Sequence, residues 1–124
     1  MKKGECVDML KRMAELKEVV NENMRGGDGS VIITHLADKN EMFDKSRLYA
    51  KLTIKPGCSI GHHVHENETE IFHIVSGNAL YDDNGSQAEL SAGDVTVTPA
   101  GHGHSIANSG DTDLTVIALI VLQK

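Results

Sequence analysis

Seven histidines are spread through the chain, and three of them, with one glutamate, have the types and spacing to hold a metal ion. His63 and His65 stand two apart in the run Gly61-His62-His63-Val64-His65. On an extended strand that spacing turns both imidazoles to one face. Glu70 follows a polar turn, Glu66-Asn67-Glu68-Thr69, that lets the chain bring a carboxylate to the same interior. His104, in Pro99-Ala100-Gly101-His102-Gly103-His104, is the fourth candidate. Three neutral imidazoles and one carboxylate suit a divalent Mn, Fe, Co, Ni or Zn ion, one per chain. On a five- or six-coordinate ion they leave one or two positions open, as catalytic metals do.

The remaining histidines read differently. His62 alternates away from His63 and His65, and His73 has the parity opposite to Glu70, so both are expected to point outward. His35 is isolated and reads as structural. His102 stands two residues before His104 on the expected pocket rim. It and Glu70 are the candidate catalytic residues, as proton carriers, although a solvated loop histidine is the plainer reading of His102. Phe72 and Ile74 share parity with Glu70, and Ile106 with His104, so these three are expected to form an apolar wall. The row Arg47, Tyr49, Lys51 reads as a solvated face rather than an anion clamp. Cys6 and Cys58 read as free thiols, Cys58 as a small buried hydrophobe.

The elements that must position these groups are mostly strands. Arg47–Lys55 alternates strictly, with Leu48, Ala50, Leu52 and Ile54 on one face. Short strands are also expected over Ser30–Leu36, Glu70–Val75, Ala79–Tyr81, Gln87–Leu90, Asp94–Thr98, Ser105–Asn108 and Leu114–Leu122. Asn84-Gly85 marks a hairpin and Pro56-Gly57 and Ser76-Gly77 mark turns. Many short strands at this spacing make a sandwich or barrel. Residues 5–24 carry the one helical pattern, with Val7, Leu10, Met13, Leu16 and Val20 near the 3.6-residue period. They predict an N-terminal helical arm (residues 1–29, with its Gly-rich turn) packed outside an all-β body of residues 30–124. Leu114–Leu122 is apolar at nearly every position, so both its faces should be covered, one by the core and one by a second copy of the chain.

The pattern of residues between 57 and 108 resembles the cupin family. One cupin motif runs G-x5-H-x-H-x4-E-x6-G, and Gly57, His63, His65, Glu70 and Gly77 fill it. The other runs G-x5-P-x-G-x2-H-x3-N, filled by Gly93, Pro99, Gly101, His104 and Asn108. The resemblance covers about residues 45–122 and is silent on the N-terminal arm. It implies a double-stranded β-helix, or jelly-roll barrel, with His63, His65, Glu70 and His104 as metal ligands. The glycines, Pro99 and Asn108 would be turn and packing positions. Cupins include dioxygenases, decarboxylases, isomerases, lyases and non-enzymatic binders. The expectation is a metal-dependent enzyme acting on a small organic acid or carbonyl compound held in the barrel. The alternative is a module that binds a metabolite or regulates without catalysis.

Bulk properties narrow the partners. The net charge is −6, with 18 acidic against 12 basic residues and only four aromatics, Phe43, Tyr49, Phe72 and Tyr81. An acidic chain without a basic cluster is a poor nucleic-acid binder. The longest apolar stretch, Leu114–Leu122, is about half of what a membrane-spanning helix needs. Lys2 and Lys3 are followed by polar residues rather than a signal core, so a cytoplasmic homodimer is expected.

Overall fold

Alternation sets the strands. Along the stretch from Ser46 to Ile54, the side chains of Ala50, Leu52 and Ile54 are buried while Arg47 and Tyr49 reach solvent. The computed structural model describes residues 9–123. In chain order its strands are β1 (Glu18–Glu22), β2 (Ser30–Ala37), β3 (Ser46–Ile54), β4 (Ser59–Val64), β5 (Glu68–Ser76), β6 (Ala79–Asp83), β7 (Ser86–Leu90), β8 (Val95–Thr98), β9 (Gly103–Asn108) and β10 (Leu114–Leu122). They form a six-stranded sheet, β1-β2-β3-β10-β5-β8, and a four-stranded sheet, β4-β9-β6-β7, paired antiparallel throughout. Both sheets contribute to one core. Leu52, Ile54, Phe72, Ile74 and Val116 from the first meet Ile60, Ala79, Tyr81 and Ile106 from the second. No helix among the described residues is long and apolar enough to cross a membrane.

The helix expected over residues 5–24 is not what forms. Residues 5–8 lie outside the described residues, Met13–Glu15 is a single 3-10 turn, and Glu18–Glu22 is β1. β1 pairs over five residues with β2, from Glu18↔Thr34 to Glu22↔Ser30. The β-branched pair Val19-Val20 favours extended backbone, and the edge of β2 supplies hydrogen-bond partners that an isolated helix on the surface would not gain. Val19 and Val20 remain largely exposed, so the ladder rather than burial holds this strand.

Three irregularities shape the barrel mouth. Between β4 and β9 the register passes from Ile60↔Ile106 to His63↔His104, with two residues of β4 opposite one of β9. That bulge at Gly61-His62 reverses parity, so Ile60 and His63 both face inward. Between β2 and β3 the register skips Leu36, and between β3 and β10 it skips Arg47. At the other end the chain turns at Gly77, whose φ is 92° and whose added Cβ would lie 2.6 Å from the Asp113 carbonyl oxygen. Only glycine fits there.

Candidate metal centre

The four residues picked out by spacing converge. His63 and His65 come from β4 and the residue just past it, Glu70 from β5 and His104 from β9. One ligand atom from each lies within 4.8 Å of all the others. His104 Nε2 is 3.0 Å from His65 Nε2, 3.1 Å from His63 Nε2 and 3.0 Å from Glu70 Oε1. Glu70 Oε1 is 2.8 Å from His65 Nε2 and 3.8 Å from His63 Nε2. Two ligand atoms at right angles around an ion with bonds of roughly 2.1 Å stand about 3.0 Å apart. Four of these five separations match that edge.

The outer nitrogens decide which atoms face inward. His63 Nδ1 donates to the Gly61 carbonyl at 2.8 Å, and His65 Nδ1 donates to Glu68 at 2.6 Å. His104 Nδ1 lies 2.8 Å from the Tyr81 hydroxyl and 2.9 Å from that of Thr98, both able to accept its proton. With each Nδ1 proton engaged, the three Nε2 atoms present lone pairs to a common point, where they repel one another and the Glu70 carboxylate. A cation relieves that repulsion, and so do protons. The set therefore fits a divalent metal by its own chemistry, with outer partners that fix each ring. Phe72 stacks on His104 at 5.0 Å between ring centroids and 17° between planes, closing one side with hydrocarbon.

The electrostatics agree with this picture. Burial opposes ionisation of Glu70, but when the inner nitrogens carry protons, hydrogen bonds from His104, His63 and His65 outweigh it and keep the carboxyl below its usual range. Glu68 is held down to about 2, chiefly by Arg47 and against the effect of burial, with His65 assisting. The Arg47 pair is bidentate, Nε and Nη2 each 2.7 Å from a Glu68 oxygen. His65 is raised above its ordinary value, first by Glu70 and then, against burial, by Glu68. His104 is lowered by its burial, which the Glu70 carboxylate only partly offsets. A metal ion would displace the proton that the two carboxylates favour on His65.

The other histidines fall mostly where parity puts them. His62 and His73 are exposed, and His62 covers Gly103. His102 is also exposed on the turn before β9. Its carbonyl accepts from the His65 N–H at 3.2 Å, but its ring is not among those lining the metal cavity. His35 is half-buried and does line that cavity, which its isolation in the sequence did not suggest. The cavity measures about 240 Å³. Its walls are largely apolar, with Leu52, Ile60, Phe72 and Ile120 among them, and among the described residues Glu70 is the one carboxylate that lines it. Met24 and Arg25 close one side from the loop after β1. That loop is pressed on β4, where a Cβ added to Gly27 would lie 2.8 Å from the Gly61 nitrogen.

Four supporting residues escaped the sequence reading. Glu68 shares parity with Glu70 two residues on, and that signal was present. Tyr81 and Thr98 are inward positions of β6 and β8 whose role shows only once those strands face β9. Arg47 alternates outward in the sequence, but the bulge in β3 re-aims it into the mouth.

The model of the family described as "Cupin domain" matches residues 50–120. The chain is a cupin. It is 43% identical over 122 residues, 98% of this chain and 99% of the other, to an oxalate-binding protein of Thermotoga maritima. The crystal structure of a predicted oxalate decarboxylase from the same organism superposes with a TM-score of 0.88 at 44% identity, covering 92% of this chain and 99% of that one. An uncharacterized conserved protein with a double-stranded β-helix domain from Klebsiella pneumoniae has a TM-score of 0.66 at 25% identity, covering 76% and 78%. The fold is therefore the cupin barrel, and the His63, His65, Glu70, His104 group is the possible metal site of this cupin.

Proposed function

We propose that this cupin binds a small dicarboxylate, of which oxalate is the simplest, at a divalent metal ion held by His63, His65, Glu70 and His104. The observation that carries this reading is the composition of the cavity around the cluster. Beyond His63, His65 and Glu70, its charged residues among the described ones are Arg25 and Arg47, and His35 is its other polar group. When bound, the ion supplies positive charge and coordination positions that a chelating acid can take. Arg25 and Arg47 add cationic donors at the mouth, and Leu52, Phe72 and Ile120 exclude water and larger polar ligands. The name of the Thermotoga relative supports the same ligand class.

A metal-dependent enzyme of decarboxylase or other lyase type is the second reading, favoured by a ligand set that leaves positions free. The lining argues for capture first, because Glu70 is already placed toward the metal and among the described residues no second carboxylate stands ready as acid or base. His102 is exposed to solvent, so among the described residues His35 is the one remaining proton carrier in the cavity. Calorimetry of oxalate into protein loaded with Mn or Co, with and without chelator, tests the binding. Saturable, metal-dependent heat without release of CO₂ supports capture. Stoichiometric CO₂ release moves the assignment to an enzyme, and no heat in the loaded protein removes the dicarboxylate altogether.

The homodimer belongs to the same proposal. Tyr49, Leu119, Ile71 and Val97 face outward in register across β3, β10, β5 and β8. Tyr49 and Val97 are 37% and 60% exposed, and Val75, Val95 and Val121 extend the apolar face. A contiguous face of this kind is an interaction surface, and a second copy covers it by two-fold pairing. Sedimentation of the wild type and of Leu119→Asp tests it, since a wild-type monomer at micromolar concentration ends the idea.

A further inference from the structure

A second cavity, of about 460 Å³, lies between the N-terminal segment, the end of β2 with the loop after it, and the start of β3. Lys11, Lys17, Lys39 and Arg47 line it against Glu15 and Asp38. On a chain with a net charge of −6, this is a local excess of positive charge. His35 and Arg47 border both this cleft and the metal cavity. Both stand beside the β-bulges at Leu36 and Arg47, which break the wall of the barrel at this corner. Arg47 uses Nε and Nη2 on Glu68, which leaves N–H donors on the outer edge of its guanidinium, and its side chain is 42% exposed.

We propose that this basic cleft is the entrance by which an anionic ligand reaches the metal cavity. Lys17 and Lys39 draw the anion in from solution, and Arg47 receives it on the edge not taken by Glu68. Lys11 braces the rim instead, bonded to the Glu41 carboxylate and to the Leu36 carbonyl oxygen. A cleft whose lining carries more cations than acids, between low-dielectric walls, concentrates the opposite ion and raises its association rate, more at low salt than at high. The inference rests on the reading that the metal cavity takes a small carboxylate.

The test is stopped-flow association of oxalate with Co-loaded protein, read from the visible spectrum of the ion, over a range of ionic strength. Lys17→Glu/Lys39→Glu is compared with wild type and with Lys55→Glu, which lies past the far end of β3. The expected result is association about tenfold slower in the double variant at roughly 10 mM salt, converging with wild type at high salt. The dissociation rate and the Co affinity stay unchanged, and Lys55→Glu remains within about twofold of wild type. The single variant Lys39→Glu, with a smaller slowing of the same sign, serves if the double variant does not fold. Equal association rates at low salt, or an equal slowing in Lys55→Glu, overturn the entrance while leaving the metal-site reading intact. A wild-type spectrum that oxalate does not change overturns both.

Discussion

The two ends of the barrel are built on opposite terms, and β10 runs through both. At its start Leu114 and Val116 lie beside Ile54 and Ile74, all fully buried, in a closed aliphatic layer. At its end Ile120 is paired with Glu70 on one side and Leu48 on the other, at the edge of the cavity. The first end excludes water and holds the sheets together. The second gathers polar groups whose outer atoms are satisfied by neighbours and whose inner atoms face one another, an arrangement that contributes less to stability. On this division, folding rests on one end of the core and ligand binding on the other.

Ile74→Ala is the strongest way to test the dry end. It removes a fully buried side chain and should cost about 2–5 kcal/mol of unfolding free energy, measured by denaturant titration. Its metal affinity should remain that of the wild type. At the wet end, His104→Ala should fold normally in chelator and lose metal binding. Stability then falls only by the linked binding contribution, about 2.7 kcal/mol when free metal is a hundred times its dissociation constant. Wild-type protein that unfolds outright when stripped of metal would erase the distinction between the two ends.

Glu68→Gln should show the smallest effect, because it loosens His65 without removing a candidate ligand. Metal affinity should fall about 10- to 100-fold. The same variant sharpens the comparison by pH. Since the Glu68 carboxyl is lowered from 4.5 to about 2 in the fold, its contribution to stability is complete above about 4.5 and is lost as pH falls toward 2. In chelator, the wild-type midpoint of thermal unfolding should therefore drop more steeply than that of Glu68→Gln across that window. Metal binding has its own, higher window. The histidines must be neutral, so falling pH weakens binding, beginning with the raised His65 and more steeply than one proton would give.

The candidate ligands were legible because a metal site imposes residue type and spacing together, and His63, His65, Glu70 and His104 meet both. Most strands were legible from alternation, as in Arg47–Lys55. What could not be read depends on register. The bulge at Gly61-His62 sets which side of β4 carries the metal site, and the bulge at Arg47 brings a solvent-side cation to the cavity mouth. Neither leaves a periodic trace. β1 reads as a helix because an apolar spacing of three and four is compatible with one, and the edge of β2 that makes it a strand leaves no mark in the sequence.

The chain has two tyrosines and no tryptophan, and the fold separates them. Tyr81 is 3% exposed with its hydroxyl against His104, whereas Tyr49 is 37% exposed on the outer sheet face. Intrinsic fluorescence of this protein is consequently a sum of two emitters placed at different addresses. Loading the cluster perturbs the emitter bonded to His104, and covering the sheet face shields the other from an added quencher. Tyr49→Phe and Tyr81→Phe would separate the two signals, giving label-free optical assays for metal occupancy and self-association in the same cuvette.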